Sequence, residues 1–408
     1  GVSRSFAPRV PPCLSWGDLP RELLQSIADR LDSPFYITRF RSVCNCWRSS
    51  VPAGPRNSPS RFPILPNVGI LNATGGFYLC KRTIFRFGFP GYLHPGSRNG
   101  WLIKVEEVAS RRMNMFQPLS GAKYLTDVFP ITLDISDIQI SELCHEYVLS
   151  FVNSHPFGRY LGDSDNLYME KVVLASKEDG SYVVLTIHVS GKLVVLRPGD
   201  ENWCVIDDLT SPYDDVIFIN GRFYAVDSTG RAVSVEIEPY PGVSLIAGSV
   251  FGGDKKYLVE SEGQLLLVDI YLSVGPANDL NADEESEEPF EDSPYERAVR
   301  LKVYALNAGK GEWVEVTNLG DRILFLGDNC AFSALASDFS WCRVNCIYFS
   351  GNYSCQGIGI SVFCLESGEF LSAEEGYWNC SGHLPVGLLI QSPCRMQRQI
   401  STAWLELC

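Results

Sequence analysis

The chain has 408 residues, 45% of them apolar and 20% charged, with a formal net charge of −14. That length supports a large core plus a small appended module. The acidic balance argues against a binder of phosphate backbones, and no run approaches the ~18 apolar residues of a membrane span. Neither nucleic acid nor membrane is therefore expected as a partner.

Residues 1–14 contain Pro8, Pro11 and Pro12 and no apolar signal-peptide core, and they read as a disordered tail. Without export, the 14 cysteines should stay reduced. The Asn-X-Ser/Thr triplets at Asn72, Asn352 and Asn379 are then chance matches.

Residues 15–52 read as a small helical module. In "DLPRELLQSIADRL", Pro20 suits the first helical position, and Glu22 lies in the first turn, where the helix dipole favours it. At about 100° per residue, Leu23, Leu24, Ile27, Ala28 and Leu31 form one apolar stripe roughly 140° wide. Ser33-Pro34 restarts the helix by the same logic. Ile37, Phe40, Val43, Cys44, Trp47 and Val51 form a second stripe, which Pro52 stops. A 38-residue unit seldom buries enough apolar surface to be stable alone. The stripes therefore pack on each other or on the rest of the chain, or part of them is reserved for a partner's helices.

Residues 53–66 are dense in proline and read as an extended linker. From residue 67 to 408, short β-type runs alternate with turn signals. Asn220-Gly221 sits between two such runs, the signature of a tight hairpin, and Ser228-Thr229-Gly230 turns into a third strand over 232–237. Similar units surround Glu262-Gly263 and Asn307–Gly311, and others lie within 181–199 and 351–370. Serial hairpins or three-strand meanders predict a β-propeller, and ~40–50 residues per blade predict six or seven blades. A pair of β-sandwiches is the alternative. The acidic insertion 276–294 falls between two strand units. Its Asn278–Asp292 stretch carries eight acidic residues and no basic one, and reads as a solvated loop.

The chemistry-bearing patterns are few. No P-loop, GxGxxG or HExxH occurs, and none of His94, His145, His155, His188 and His383 has a GxSxG partner. Cys144, His145 and Glu146 alternate faces in a strand and build no metal site. Cys330, Cys342, Cys346, Cys355 and Cys364 contain no CxxC pair and read as buried thiols rather than zinc ligands. Cys44 and Cys46 form a CxC inside a helix, where the side chains diverge. Lys81, Arg82, Arg86 and Arg98, interleaved with Phe85, Phe87, Phe89, Tyr92 and Trp101, read as strand interior plus solvated charges. No catalytic residue, cofactor or metal is expected.

Residues 16–52 closely resemble the F-box motif. The match rests on Leu19-Pro20, the series Leu23, Leu24, Ile27 and Leu31, then Arg41-Ser42-Val43-Cys44 and Trp47-Arg48. Cys46 departs from it, where a small or polar residue is usual. "GSRNGWLIKVEE", "DDVIFINGRFYAVDSTG" and "KYLVESEGQLLLVDIYL" resemble the large C-terminal domain of plant F-box proteins of the Skp-interacting-partner type. The resemblance implies a non-catalytic receptor of a Skp-cullin-F-box ubiquitin ligase, acting in the nucleus or cytoplasm. It implies adaptor contacts at Leu19, Pro20, Leu23, Leu24, Ile27 and Leu31. Phe40, Val43, Cys44 and Trp47 would divide between the module's interior and the adaptor. Cullin and RING subunits would join through the adaptor, and the C-terminal domain would hold an unnamed protein substrate. The competing reading is a propeller enzyme or small-ligand binder whose helices only pack internally. A third is an F-box protein that works with the adaptor outside a ligase.

Overall fold

The computed structural model describes residues 16, 19–31, 34–51, 76–88, 100–108, 112–120, 139–152, 169–177, 179–188, 190–208, 211–275, 295–349 and 360–371. The expected tail, the proline-rich linker, the acidic insertion, Phe89, Tyr92, His94, Arg98, His155, Cys355 and His383 lie outside them. The chain divides into two units, a helical one and a β-rich one.

Among the described residues, the helical unit has three α-helices, α1 (Arg21–Ala28), α2 (Pro34–Ser42) and α3 (Asn45–Ser50). Pro20 is the residue before α1, not its first: its backbone is extended, and its carbonyl accepts from the N–H groups of Leu23 and Leu24, each at 3.1 Å. Pro34 does open α2. The second stripe is broken in two, because Cys44 is fully extended and its carbonyl starts α3 by accepting from Arg48 N–H at 2.9 Å. Leu24, Ala28, Phe40 and Val51 form the buried centre, with Leu19, Leu31, Ile37 and Trp47 packed around it. The Phe40 and Trp47 rings meet at 4.5 Å. Arg41 reaches across from α2 to donate to the Arg48 and Val51 carbonyls, satisfying the orphan acceptors at the end of α3.

The β-rich unit is a ring of strand groups. The first group is β1 (Gly76–Gly88), β2 (Trp101–Val108), β3 (Arg112–Phe116) and β4 (Gln139–Val152), in spatial order β3-β2-β1-β4. The second is β5 (Met169–Ser176), β6 (Tyr182–His188), β7 (Leu193–Leu196) and β8 (Cys204–Val205). One pairing, Tyr147 with Val172, joins β5 to β4. The third is β9 (Tyr213–Ile219), β10 (Arg222–Asp227), β11 (Ala232–Glu236) and β12 (Gly242–Ala247). The fourth is β13 (Lys255–Ser261), β14 (Gln264–Gly275), β15 (Tyr295–Asn307) and β16 (Glu312–Val316). The fifth contains β17 (Arg322–Leu326), β18 (Ala331–Leu335), β19 (Cys346–Phe349), β20 (Ser361–Cys364) and β21 (Glu369–Phe370), in order β18-β17-β19-β20-β21.

The expected hairpins that fall on described residues are present, while 351–359 lie outside them. Asn220-Gly221 and Glu262-Gly263 each have two positive φ angles, the two-residue turn whose twist matches its flanking strands. Asp227 fastens the next turn, accepting from Thr229 N–H at 2.9 Å and Arg231 N–H at 3.2 Å.

Strands β4, β5, β9, β13 and β18 are the inner members of the five groups and neighbour one another in that order, with β18 returning beside β4. Apolar clusters fill each junction. Leu79 and Tyr147 meet Leu174 and Val184. Leu185 and Val195 meet Val216 and Phe223. Val226 and Ala232 meet Leu258 and Leu267. Val259 and Val268 meet Leu324 and Ile347. Ile84 and Leu102 meet Phe325 and Phe332, which closes the circuit. At that last junction Gly100, at φ +83°, lies where a Cβ would strike the Asp338 carbonyl, and its own carbonyl accepts from Trp341 Nε1–H at 2.8 Å.

The described residues thus form five blades, where turn spacing led to six or seven. The reason is strand length. β1, β4, β14 and β15 run 13, 14, 12 and 13 residues, so the first and fourth blades spread over 76–152 and 255–316, more than the ~40–50 residues assumed per blade.

Charged side chains also staple the inner strands. Asp214 Oδ2 accepts from Lys256 N–H at 2.9 Å, with Lys255 beside it. Burial pushes the Asp214 carboxyl up to about 6 against the pull of Lys255. The folded state then holds a proton that the unfolded chain releases near pH 4, so this group's contribution to stability is complete below that pH. It is lost as pH rises through about 6. Asp214→Asn should match wild type near pH 4 and exceed it on the order of 2 kcal/mol at pH 7. Denaturant melts at the two pH values check this; equal differences at both would refute it.

Candidate functional site

The apolar stripe of α1 is wider than its neighbours cover. Leu24 and Ala28 are 2% and 0% exposed, while Leu23 and Ile27, one position back on the helix, are 52% and 38% exposed. Residues i and i+4 share a face, so Leu23 and Ile27 form an outward ridge beside the buried Leu24–Ala28 seam. Val43, in the break between α2 and α3, is 55% exposed, and Pro20 is exposed as well. Cys44 is half-buried, and Leu19, Leu31 and Trp47 are partly buried against the module's centre.

The ten residues that the resemblance assigns to the adaptor surface or the module's interior therefore separate. Pro20, Leu23, Ile27 and Val43 face out. Leu24 lies inside, joined there by Phe40, while Leu19, Leu31, Cys44 and Trp47 sit between. One uncovered side chain escapes the sequence reading. Trp16 is 74% exposed, and its carbonyl accepts from Trp47 Nε1–H at 2.9 Å. Its signal is only a large aromatic just ahead of the Leu-Pro pair. An apolar ridge without a paired acid and base can bind but has no means of proton transfer.

In the β-rich unit, a groove of about 670 Å³ is lined by Lys177, Asp179, Ser181, Arg197, Asp200 and Glu238. Four of its five charges are paired, Lys177 with Glu238 at 2.6 Å and Arg197 with Asp200 at 2.9 Å, while Asp179 accepts from Ser181. Hydrogen bonds from Ser181, Arg197 and Lys177 hold Asp179, Asp200 and Glu238, in that order, below the ordinary carboxyl range. These are two ion pairs and one hydrogen-bonded turn of a structural kind, with no carboxyl held protonated near neutral pH.

The basic-aromatic stretch is not a solvated surface. Arg82 is 3% exposed, donates to Glu106 Oε2 at 3.0 Å and lies over the Phe116 ring. Lys104 is fully buried against Glu146 at 2.9 Å. Phe85 and Phe87 are buried, and Arg86 donates to the Asp338 carbonyl at 2.8 Å. The expected solvated charges are thus corrected for Arg82, whose partners come from later strands. Cys144, His145 and Glu146 do alternate along β4, with His145 exposed and Glu146 buried. Among the described residues, no three His, Cys, Asp or Glu side chains converge as metal ligands, and no helix is long and apolar enough to cross a membrane.

A family model described as the KIB1-4 beta-propeller matches residues 77–366, and one described as the F-box domain matches residues 16–52. The chain belongs to the plant F-box proteins that carry a KIB1-4 β-propeller. It is 39% identical over 381 residues to the F-box protein SKIP23 of Arabidopsis thaliana, covering 87% of this chain and 90% of that one. F-box protein At2g17036 of the same plant is 34% identical over 350 residues, 80% of each chain. Putative F-box protein At5g60060 is 30% identical over 333 residues, 78% of this chain and 83% of its own. The outward ridge of Leu23 and Ile27 thus lies within the F-box domain, and the charged groove lies within the propeller.

Proposed function

We propose that this F-box protein is a substrate receptor of a Skp-cullin-F-box ubiquitin ligase. The F-box module docks on a Skp-type adaptor through Pro20, Leu23, Ile27 and Val43, with Trp16 at the margin. The adaptor links it to cullin and RING subunits, and the propeller holds a target protein. The chain then performs no bond chemistry of its own. It raises the effective concentration of target lysines near the ubiquitin-loaded enzyme. Such a receptor works where the adaptor is found, in nucleus or cytoplasm.

The observation that carries this reading is the uncovered apolar ridge on a module whose own core is already complete. Leu24, Ala28, Phe40 and Val51 fill the interior without Leu23 or Ile27. Exposed apolar ridges beside such a core suit a helix-groove partner. The full chain co-expressed with a Skp-type adaptor should co-elute with it in a 1:1 peak. Adding cullin and RING subunits should then support ubiquitin transfer to proteins captured by the propeller. Separate elution of chain and adaptor would end the receptor reading. Co-elution without any transfer would instead favour an F-box protein acting outside a ligase.

A further inference from the structure

The outer strands of the fifth blade set two thiols opposite each other. Cys346 opens β19, Cys364 closes β20, and the two are direct partners in the antiparallel register. Leu365 N–H donates to the Asn345 carbonyl at 3.1 Å, which makes that neighbouring pair the hydrogen-bonded one. Cys346 and Cys364, one step along, are therefore a non-hydrogen-bonded pair. In such pairs the Cα atoms lie about 4.5 Å apart and the side chains share a face, within the span of a disulfide. Both cysteines are free, and both pack in one apolar cluster.

The two are unequal. Cys346 is 1% exposed, whereas Cys364 is half-buried at the start of a turn closed by Gly368 N–H on the Cys364 carbonyl at 2.9 Å. Burial pushes the Cys346 thiol up to about 12. Burial also opposes ionisation of Cys364, but hydrogen bonds from Ser367 and from the Glu366 N–H outweigh it and bring that thiol below its ordinary value. An accessible, more acidic sulfur beside a buried one is the arrangement of an attacking and a resolving thiol.

We propose that Cys364 and Cys346 form a peroxide-responsive pair, with Cys364 the attacking sulfur and Cys346 the resolving one. The Cys364 sulfur attacks one oxygen of a hydroperoxide. The O–O bond breaks, Cys364 becomes a sulfenic acid, and the other oxygen leaves as water or an alcohol after taking up a proton. The Cys346 sulfur then attacks the sulfenic sulfur. Its thiol proton departs with the displaced hydroxyl as a second water, and the S–S bond forms. Two thiols are oxidised by two electrons in all, and the peroxide is reduced by the same two. The bond latches β19 to β20.

The molecule contains its own comparison. Cys144 and Cys330 also share that apolar cluster, but Cys330 is buried and burial holds the Cys144 thiol well above its ordinary value. That pair should react slowly.

The test uses the full chain, hydrogen peroxide and alkylation of remaining thiols. Chymotrypsin can cut between the two cysteines, at Tyr348 and Phe363. Wild type should yield the Cys346–Cys364 link at least ten times faster than any Cys144–Cys330 link. Cys346→Ser should lose it and trap a dimedone adduct on Cys364. The proposal is overturned if both thiols remain alkylatable at a peroxide dose that oxidises the exposed Cys46, or if Cys364 links to Cys342 instead. The wild-type map decides the matter even if the variant fails to fold.

Discussion

Leu23→Asp should weaken adaptor binding by about 3 kcal/mol or more, roughly a hundredfold in Kd. The argument begins with exposure. Leu23 is 52% exposed in the module, so an aspartate there stays hydrated in the free protein. Its cost to folding should remain within about 0.5 kcal/mol, as for other surface changes. In the complex the same carboxylate would be driven into an apolar groove with no partner, and its desolvation cost falls wholly on binding. Ile27→Asp should behave alike, since it lies one turn along the same ridge. Leu24→Asp is the contrasting variant. Leu24 is 2% exposed in the module's centre, so this change should unfold the helices rather than merely release the adaptor. Calorimetric titration with purified adaptor, alongside circular dichroism, separates the two outcomes. A Leu23→Asp affinity within threefold of wild type would show that the ridge is not the binding surface.

Asp215→Ala should cost the propeller about 3–5 kcal/mol, seen as a drop of roughly 6–15 °C in its melting temperature. Asp215 is 1% exposed and ties three inner strands. Its Oδ1 meets Lys171 Nζ of β5 at 2.5 Å, and its Oδ2 accepts from Leu258 N–H of β13 at 2.7 Å. Oδ1 also accepts from Val216 N–H at 2.8 Å. Alanine leaves a largely buried ammonium without its counter-ion and two backbone donors without an acceptor. Asp215→Asn keeps an acceptor but not the charge, and should lose less. Differential scanning calorimetry of the three proteins tests the order; an alanine variant melting within 2 °C of wild type would contradict it.

Local patterns are legible from residues alone. Asn220-Gly221 and Glu262-Gly263 mark hairpins because both turns demand positive φ at two successive positions, a property of the residues themselves. The F-box reading also holds, since Leu19-Pro20, Val43-Cys44 and Trp47-Arg48 keep a fixed spacing. Other features mislead where the answer lies in distant chain. Arg82 looks like a solvated charge beside Lys81, yet Glu106 of β2 and Glu146 of β4 approach it across the sheet. Asp214 and Asp215 give no signal either, because Lys171 and the β13 backbone meet them only once the ring has formed.

By itself, the sequence determined that helices precede a serial array of hairpins, that one helix carries an apolar stripe, and which family the pattern belongs to. Periodicity and turn chemistry report what a segment does over a few residues, and both survive without knowledge of neighbours. Tertiary structure alone decided that Leu24 turns inward while Leu23 and Ile27 remain uncovered, that among the described residues five blades complete the circuit, and that Cys346 faces Cys364. Each of these depends on which surface a remote segment occupies, and burial is a property of two partners rather than of one stretch of chain.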